Sequence, residues 1–304
     1  MFNPNGIYVA MMTPFDDEGR VNLDEARRMT EFFIEKGVDG IFPVSNVGEF
    51  IQLERADKLE LVRAVVQTAR GRARVTPGIS APGTRESIRL GESFADAGAD
   101  GLVLSAPYYF KYPPDAVKSG LKAVIRDLDT PIILYNIPLY ANPVEPAAVA
   151  ELMQYPNLAA IKESSGSTAL LLELLSRTRR IRDDFCVLVG WEEMLASSLM
   201  LGANGCMTAS AGIFPEIMCS IYSAVKGGNM DQAVRLQSII EEATRSMKTV
   251  FFPLGYRFAM QARGFELGPY AVELDNLYTG ERDLIAQAVE HALAEFRLFQ
   301  KDRR

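Results

Sequence analysis

Short runs of apolar, largely β-branched residues recur at 7–11, 40–44, 75–78, 101–104, 131–135, 159–162, 186–189 and 205–208. Between them lie longer stretches with an apolar residue every three or four positions, as over 23–36, 55–71, 86–97 and 146–154. The short runs predict strands buried on both faces, and the longer period predicts amphipathic helices. Strand alternating with helix is the pattern of a parallel α/β protein. Eight strands match a closed (β/α)8 TIM barrel, although a doubly wound open sheet satisfies the same alternation. After Thr208 only helical patterns remain, at 215–226, 230–244 and 284–299. They predict a barrel over 1–225 and a C-terminal helical extension packed on it over 226–304.

One local signal occurs three times, as GVDG from Gly37, GADG from Gly98 and GANG from Gly202. The first glycine suits the left-handed residue that ends a helix, and the Asp or Asn then turns the chain into a strand. Such helix-to-strand turns lie on the barrel face opposite the active site, so their expected role is architectural.

In a barrel of this kind the chemistry sits at the C-terminal ends of the strands. That filter selects Thr13, the Ser45-Asn46-Val47-Gly48-Glu49 loop, Tyr108-Tyr109, Tyr135-Asn136, Lys162, Gly190-Trp191-Glu192-Glu193 and the residues from Thr208 to Ser210. Lys162 follows the apolar run Ala159-Ala160-Ile161. Burial there disfavours the ammonium and lowers the pKa, and a neutral amine is a nucleophile that forms an imine with a ketone. An ion pair with Glu163 is the plain alternative. Tyr135 ends the preceding strand, so its phenol could meet the amine in one pocket; alone, it would read as a core aromatic.

Composition narrows the classes. The chain of 304 residues is 48% hydrophobic and 23% charged, as in globular proteins, with net charge −7 and no basic stripe for nucleic acid. No segment approaches the ~18 apolar residues of a membrane span, and the N-terminus lacks a signal-peptide pattern. With Cys186, Cys206 and Cys219 showing no CxxC spacing, a reducing, cytoplasmic setting is expected. His291 is the only histidine and falls in a helical stretch, where a surface or packing role is expected; this argues against a His-ligated metal centre or a Ser-His-Asp triad.

The ordered set TPF at Thr13, GE at Gly48, APYYF at Ala106, YNIP at Tyr135 and IKESSG at Ile161 resembles the dihydrodipicolinate synthase / N-acetylneuraminate lyase family of class I aldolases. The resemblance covers residues 5–275. It implies a barrel with a helical C-terminal part, usually a homotetramer, acting on pyruvate or another 2-oxo acid. The covalent lysine imine is the electron sink, so no metal or organic cofactor is required. On this resemblance Lys162 forms the imine and Tyr135 relays protons. Tyr109 matches the tyrosine that reaches a neighbouring subunit's site. Gly48 belongs to the loop whose backbone N–H groups cradle the 2-oxo acid's carboxylate. Ser164 and Ser210 fall at substrate-contact positions, with local turn capping as the plainer role of each.

Three departures shape the expected substrate. Where the family loop has two hydroxyl residues, this chain has Asn46, a poor proton carrier, and Val47, whose side chain forms no hydrogen bond. Tyr140 stands where dihydrodipicolinate synthases carry an arginine for the aldehyde substrate's carboxylate, and a phenol lacks the cationic fork. Gly190-Trp191-Glu192-Glu193 is similar to sialic-acid lyases, whose acids hold sugar hydroxyls, although acids also favour a helix N-terminus. The expected activity is aldol cleavage or condensation of a 2-oxo-3-deoxy sugar-acid type substrate. Dihydrodipicolinate synthase, a dehydratase of the same family and a non-catalytic 2-oxo-acid-binding barrel are the alternatives.

Overall fold

The computed structural model describes residues 2–270, 274 and 277–301. Its strands are β1 Gly6–Ala10, β2 Gly40–Phe42, β3 Arg74–Val75, β4 Leu102–Ser105, β5 Ile132–Asn136, β6 Leu158–Glu163, β7 Cys186–Val189 and β8 Gly205–Thr208. All pair in parallel, in the order β3-β2-β1-β8-β7-β6-β5-β4. The two edges then meet. Gly78 bridges Val103, with the Ile79 N–H donating to Val103 O at 2.9 Å and the Val103 N–H to Pro77 O at 2.9 Å. That contact closes the sheet and removes the open-sheet alternative. Pro77 has no N–H, which limits β3 to a short ladder.

The helices are α1 Leu23–Glu35, α2 Arg55–Ala69, α3 Thr84–Asp96, α4 Pro114–Arg126, α5 Pro146–Leu152, α6 Thr168–Arg179 and α7 Leu195–Met200. After β8 come α8 Ser210–Ile213, α9 Pro215–Lys226, α10 Met230–Ile239, α11 Glu241–Ser246, α12 Leu254–Ala262 and α13 Thr279–Lys301. The single helix expected over 230–244 is two, divided at Ile240. The β-branched pair Ile239-Ile240 is buried there, and such residues lose side-chain freedom in a helix. Periodicity along the sequence does not single out α12. Ile285, Val289, Ala292, Phe296 and Phe299 bury one face of α13, and His291 lies on its exposed side. No helix of the described residues is long and apolar enough to cross a membrane.

The repeated turn is a two-point clamp. Asp39 donates its N–H to Ile7 O at 2.9 Å and accepts the Ile7 N–H on Oδ2 at 2.8 Å. Asp100 does the same to Val75, at 2.9 Å for both bonds. Asn204 does it to Val187, at 2.8 and 2.9 Å. Each grips the start of the neighbouring strand, satisfying backbone groups that would be costly to leave unpaired. The preceding glycines have φ of 82°, 93° and 100°, where L side chains are strained.

Candidate active site

Parallel pairing sets Tyr135 of β5 directly beside Lys162 of β6, so both side chains leave the same face at the strands' C-terminal ends. The Lys162 Nζ lies 4.0 Å from the Tyr135 ring centroid and 5.2 Å from that of Phe42. Lys162 is 4% exposed. Burial lowers its pKa to about 7, against a partial upward pull from Glu192 and Cys206. The ion pair with Glu163 does not form. Glu163 faces the other way and accepts from Asn136 Nδ2 at 2.7 Å and from the Ser165 N–H at 2.6 Å. Alternation along β6 therefore separates the two charges.

Burial keeps the Tyr135 phenol protonated well above its ordinary range. Ser164 stands beside it and slightly eases its ionisation, but the Ser164 Oγ has no hydrogen-bond partner within bonding distance. Gly190 explains the fit. A Cβ there would sit 1.8 Å from Ser164 Oγ and 3.0 Å from Lys162 Cε, so only glycine leaves room for both. Trp191 then ties the β7 loop to the β6 loop through its Nε1–H, which donates to Ser164 O at 2.9 Å.

These residues open on a cavity of about 300 Å³. Of the residues singled out in the sequence, Asn46, Val47, Tyr135, Tyr140, Lys162, Ser164, Gly190 and Glu192 line it. Gly48, Tyr109, Glu193 and Ser210 do not. The Gly48 N–H is engaged within the loop, bonding to Ser45 O and Oγ, both at 3.1 Å. Its lack of a side chain serves packing, since a Cβ would lie 2.7 Å from Met11 O. The N–H groups of Asn46 and Val47 have no acceptor among the described residues. Ser210 Oγ is buried without a partner at the start of α8. Tyr109 is 89% exposed, at φ 75°, with its ring 5.0 Å from that of Phe110.

The two acids of the β7 loop differ. Glu192 is buried in the cavity wall, where desolvation raises its pKa; Lys248 opposes that rise, and the Tyr256 hydroxyl stands against its carboxyl. Glu193 points outward and pairs with Lys248, whose Nζ also lies 4.2 Å from the Trp191 ring. Glu49 stays out of the cavity as well. It forms a buried ion pair with Arg257 at 2.7 Å, and Arg257 also donates to Thr13 O, Leu267 O, Gly268 O and Pro269 O. This clamp fixes the 45–49 loop against α12. The backbone is strained nearby, with Val44 and Glu49 both at φ 56°.

Periodicity gave no sign of Met247, Lys248, Val250, Phe252 and Tyr256, which form one wall of the cavity. They come from the helical extension, and Phe252 packs its ring 5.4 Å from that of Tyr140 across the mouth. The aromatic run Phe251-Phe252 beside a proline was the available signal.

The model of the dihydrodipicolinate synthetase family matches residues 3–291. The chain belongs to that family. An uncharacterized DapA-like lyase of Thermofilum pendens is 33% identical, over 88% of this chain and 89% of that protein. A probable 2-dehydro-3-deoxy-D-pentonate aldolase of Escherichia coli is 30% identical, over 88% and 90%. A 4-hydroxy-tetrahydrodipicolinate synthase of Methanosphaerula palustris is 31% identical, over 90% and 94%. Among solved structures, a prophage-encoded family member from Escherichia coli in complex with pyruvate superposes with a TM-score of 0.88 at 25% identity, covering 95% of this chain and 98% of that one. This chain is accordingly a lyase or aldolase of the class I type, on a TIM barrel.

Proposed function

We propose that this protein cleaves or forms the C3–C4 bond of a hydroxylated 2-oxo acid through an imine on Lys162, with pyruvate as one partner. The carrying observation is the buried, unpaired Lys162 amine set in register beside Tyr135 at the cavity floor. A pKa of about 7 leaves much of the amine neutral at physiological pH, as attack on a carbonyl requires. The amine adds to C2 and water leaves. A protonated phenol serves as a relay and not as a fixed base: Tyr135 takes the C4 hydroxyl proton as it hands its own to the Ser164 hydroxyl, which releases its proton in turn to water in the open cavity. The C3–C4 bond then breaks to an aldehyde and an enamine. Protonation at C3 and hydrolysis release pyruvate, and no metal or organic cofactor takes part. The unpartnered N–H groups of Asn46 and Val47 hold the 2-oxo acid's carboxylate.

The far end of the cavity favours hydroxyls over a second carboxylate. Among the described residues lining the cavity, the one basic side chain besides the Lys162 amine is Lys248, which already neutralises Glu193. Glu192 instead offers a carboxyl that accepts from hydroxyl groups. Tyr109 and Phe110, exposed and adjacent, are covered by a second copy in a homotetramer working in the cytoplasm, as in the resemblance. The test follows pyruvate release from 2-oxo-3-deoxy pentonates and hexonates beside condensation of pyruvate with aspartate semialdehyde. Efficient turnover is expected for the sugar acids. A preference for aspartate semialdehyde would replace this reading with dihydrodipicolinate synthase.

A further inference from the structure

The loop that carries Trp191, Glu192 and Glu193 has no side-chain cap at its helical end. Neither the three-residue turn Glu192–Met194 nor α7 has a side-chain cap of its own. A helix start leaves N–H groups that need a partner. Here the partner comes from the extension. Gln237 of α10 accepts the Ala196 N–H on Oε1 at 3.1 Å and donates Nε2–H to Glu192 O at 3.0 Å. One amide thus closes both ends of the 192–196 segment, and it is 41 and 45 residues away along the chain.

We propose that Gln237 is a positioning residue for substrate specificity, holding Glu192 at the depth where its carboxyl meets the hydroxyls beyond C4. An amide suits this task, because it presents one acceptor and one donor in a single plane. A carboxylate would lose the donor, and an apolar side chain would lose both. Gln237 itself does not line the cavity, so it acts through the loop. The inference rests on the imine-lyase reading above and adds to it the element that sets the distal subsite. The extension is then part of the recognition machinery and not only packing.

The experiment compares wild type, Gln237→Leu and Gln237→Glu on two cleavage substrates. One is a 2-oxo-3-deoxy hexonate, with hydroxyls beyond C4; the other is 4-hydroxy-2-oxopentanoate, which has none. Both variants should lower kcat/KM for the hexonate roughly three- to tenfold, mainly through KM, as the loss of an ordinary hydrogen bond would. Both should leave the short substrate within about twofold, a change below that of one hydrogen bond. Borohydride trapping of pyruvate should proceed at the wild-type rate, which certifies a folded imine site in each variant. In a Glu192→Ala background the Gln237 substitutions should add nothing further on the hexonate. Equal losses on both substrates, or full additivity with Glu192→Ala, would reduce Gln237 to a structural residue. No loss on the hexonate would overturn the proposal outright. Absence of trapping in the wild type would instead sink the imine reading itself.

Discussion

The two ends of the barrel are built from the same strands and treat their polar groups in opposite ways. At the N-terminal end Asp39, Asp100 and Asn204 each satisfy a neighbouring strand with two short hydrogen bonds. At the C-terminal end Lys162 is buried without an ion pair, Ser164 and Ser210 have buried hydroxyls without partners, and Val44 and Tyr109 hold positive φ. Satisfied groups stabilise; the unsatisfied Lys162 amine and Ser164 hydroxyl, both in the cavity wall, wait for a ligand. One end holds the fold together, and the other gives up stability to be reactive.

Substitutions should separate the two ends cleanly. Lys162→Met should abolish cleavage while leaving the protein as stable or more so, because it replaces a buried unpaired amine with an apolar side chain; a large drop in melting temperature would contradict this. Arg257→Ala strands the buried Glu49 carboxylate and should cost about 3–5 kcal/mol in denaturant unfolding. Its activity should fall too, since the clamp holds the loop bearing Asn46 and Val47. Asp39→Ala leaves the Ile7 N–H without its side-chain acceptor and should cost about 1–3 kcal/mol, with kcat per folded molecule unchanged. Activity loss without stability loss there would erase the distinction between the ends.

The last effect is one of pH. The Lys162 pKa of about 7 lies below the ordinary lysine value, so from pH 7 upward the unfolded chain binds the extra proton. The lysine's contribution to stability therefore rises with pH between about 7 and about 10, by at most about 1 kcal/mol per unit, and is flat above and below. Wild type minus Lys162→Met should show that slope in urea titrations, and the rate of imine formation should fall below pH 7. A flat difference would mean that the amine is not desolvated.

Local pattern made much of this legible. Strand runs, the repeated glycine turns and the position of Lys162 after Ala159-Ala160-Ile161 all express themselves within a few residues. The register that joins Tyr135 to Lys162 follows from consecutive parallel strands. The Glu49–Arg257 pair spans 208 residues, and Gln237 and Lys248 reach the β7 loop from the far side of the chain. Along the sequence these four are ordinary polar positions, and only tertiary packing gives them a task. Gly48 likewise answers to tertiary packing, since close approach to Met11 O is what requires glycine there.

The central claim is that Lys162 is a reactive amine held neutral by burial, and trapping tests it most directly. Pyruvate and borohydride are added to the protein, the intact mass is recorded, and the modified peptide is sequenced. The account predicts one reduced pyruvate adduct per chain, located on Lys162 and absent from Lys162→Met. No adduct, or one on Lys248 or another surface lysine, would contradict it.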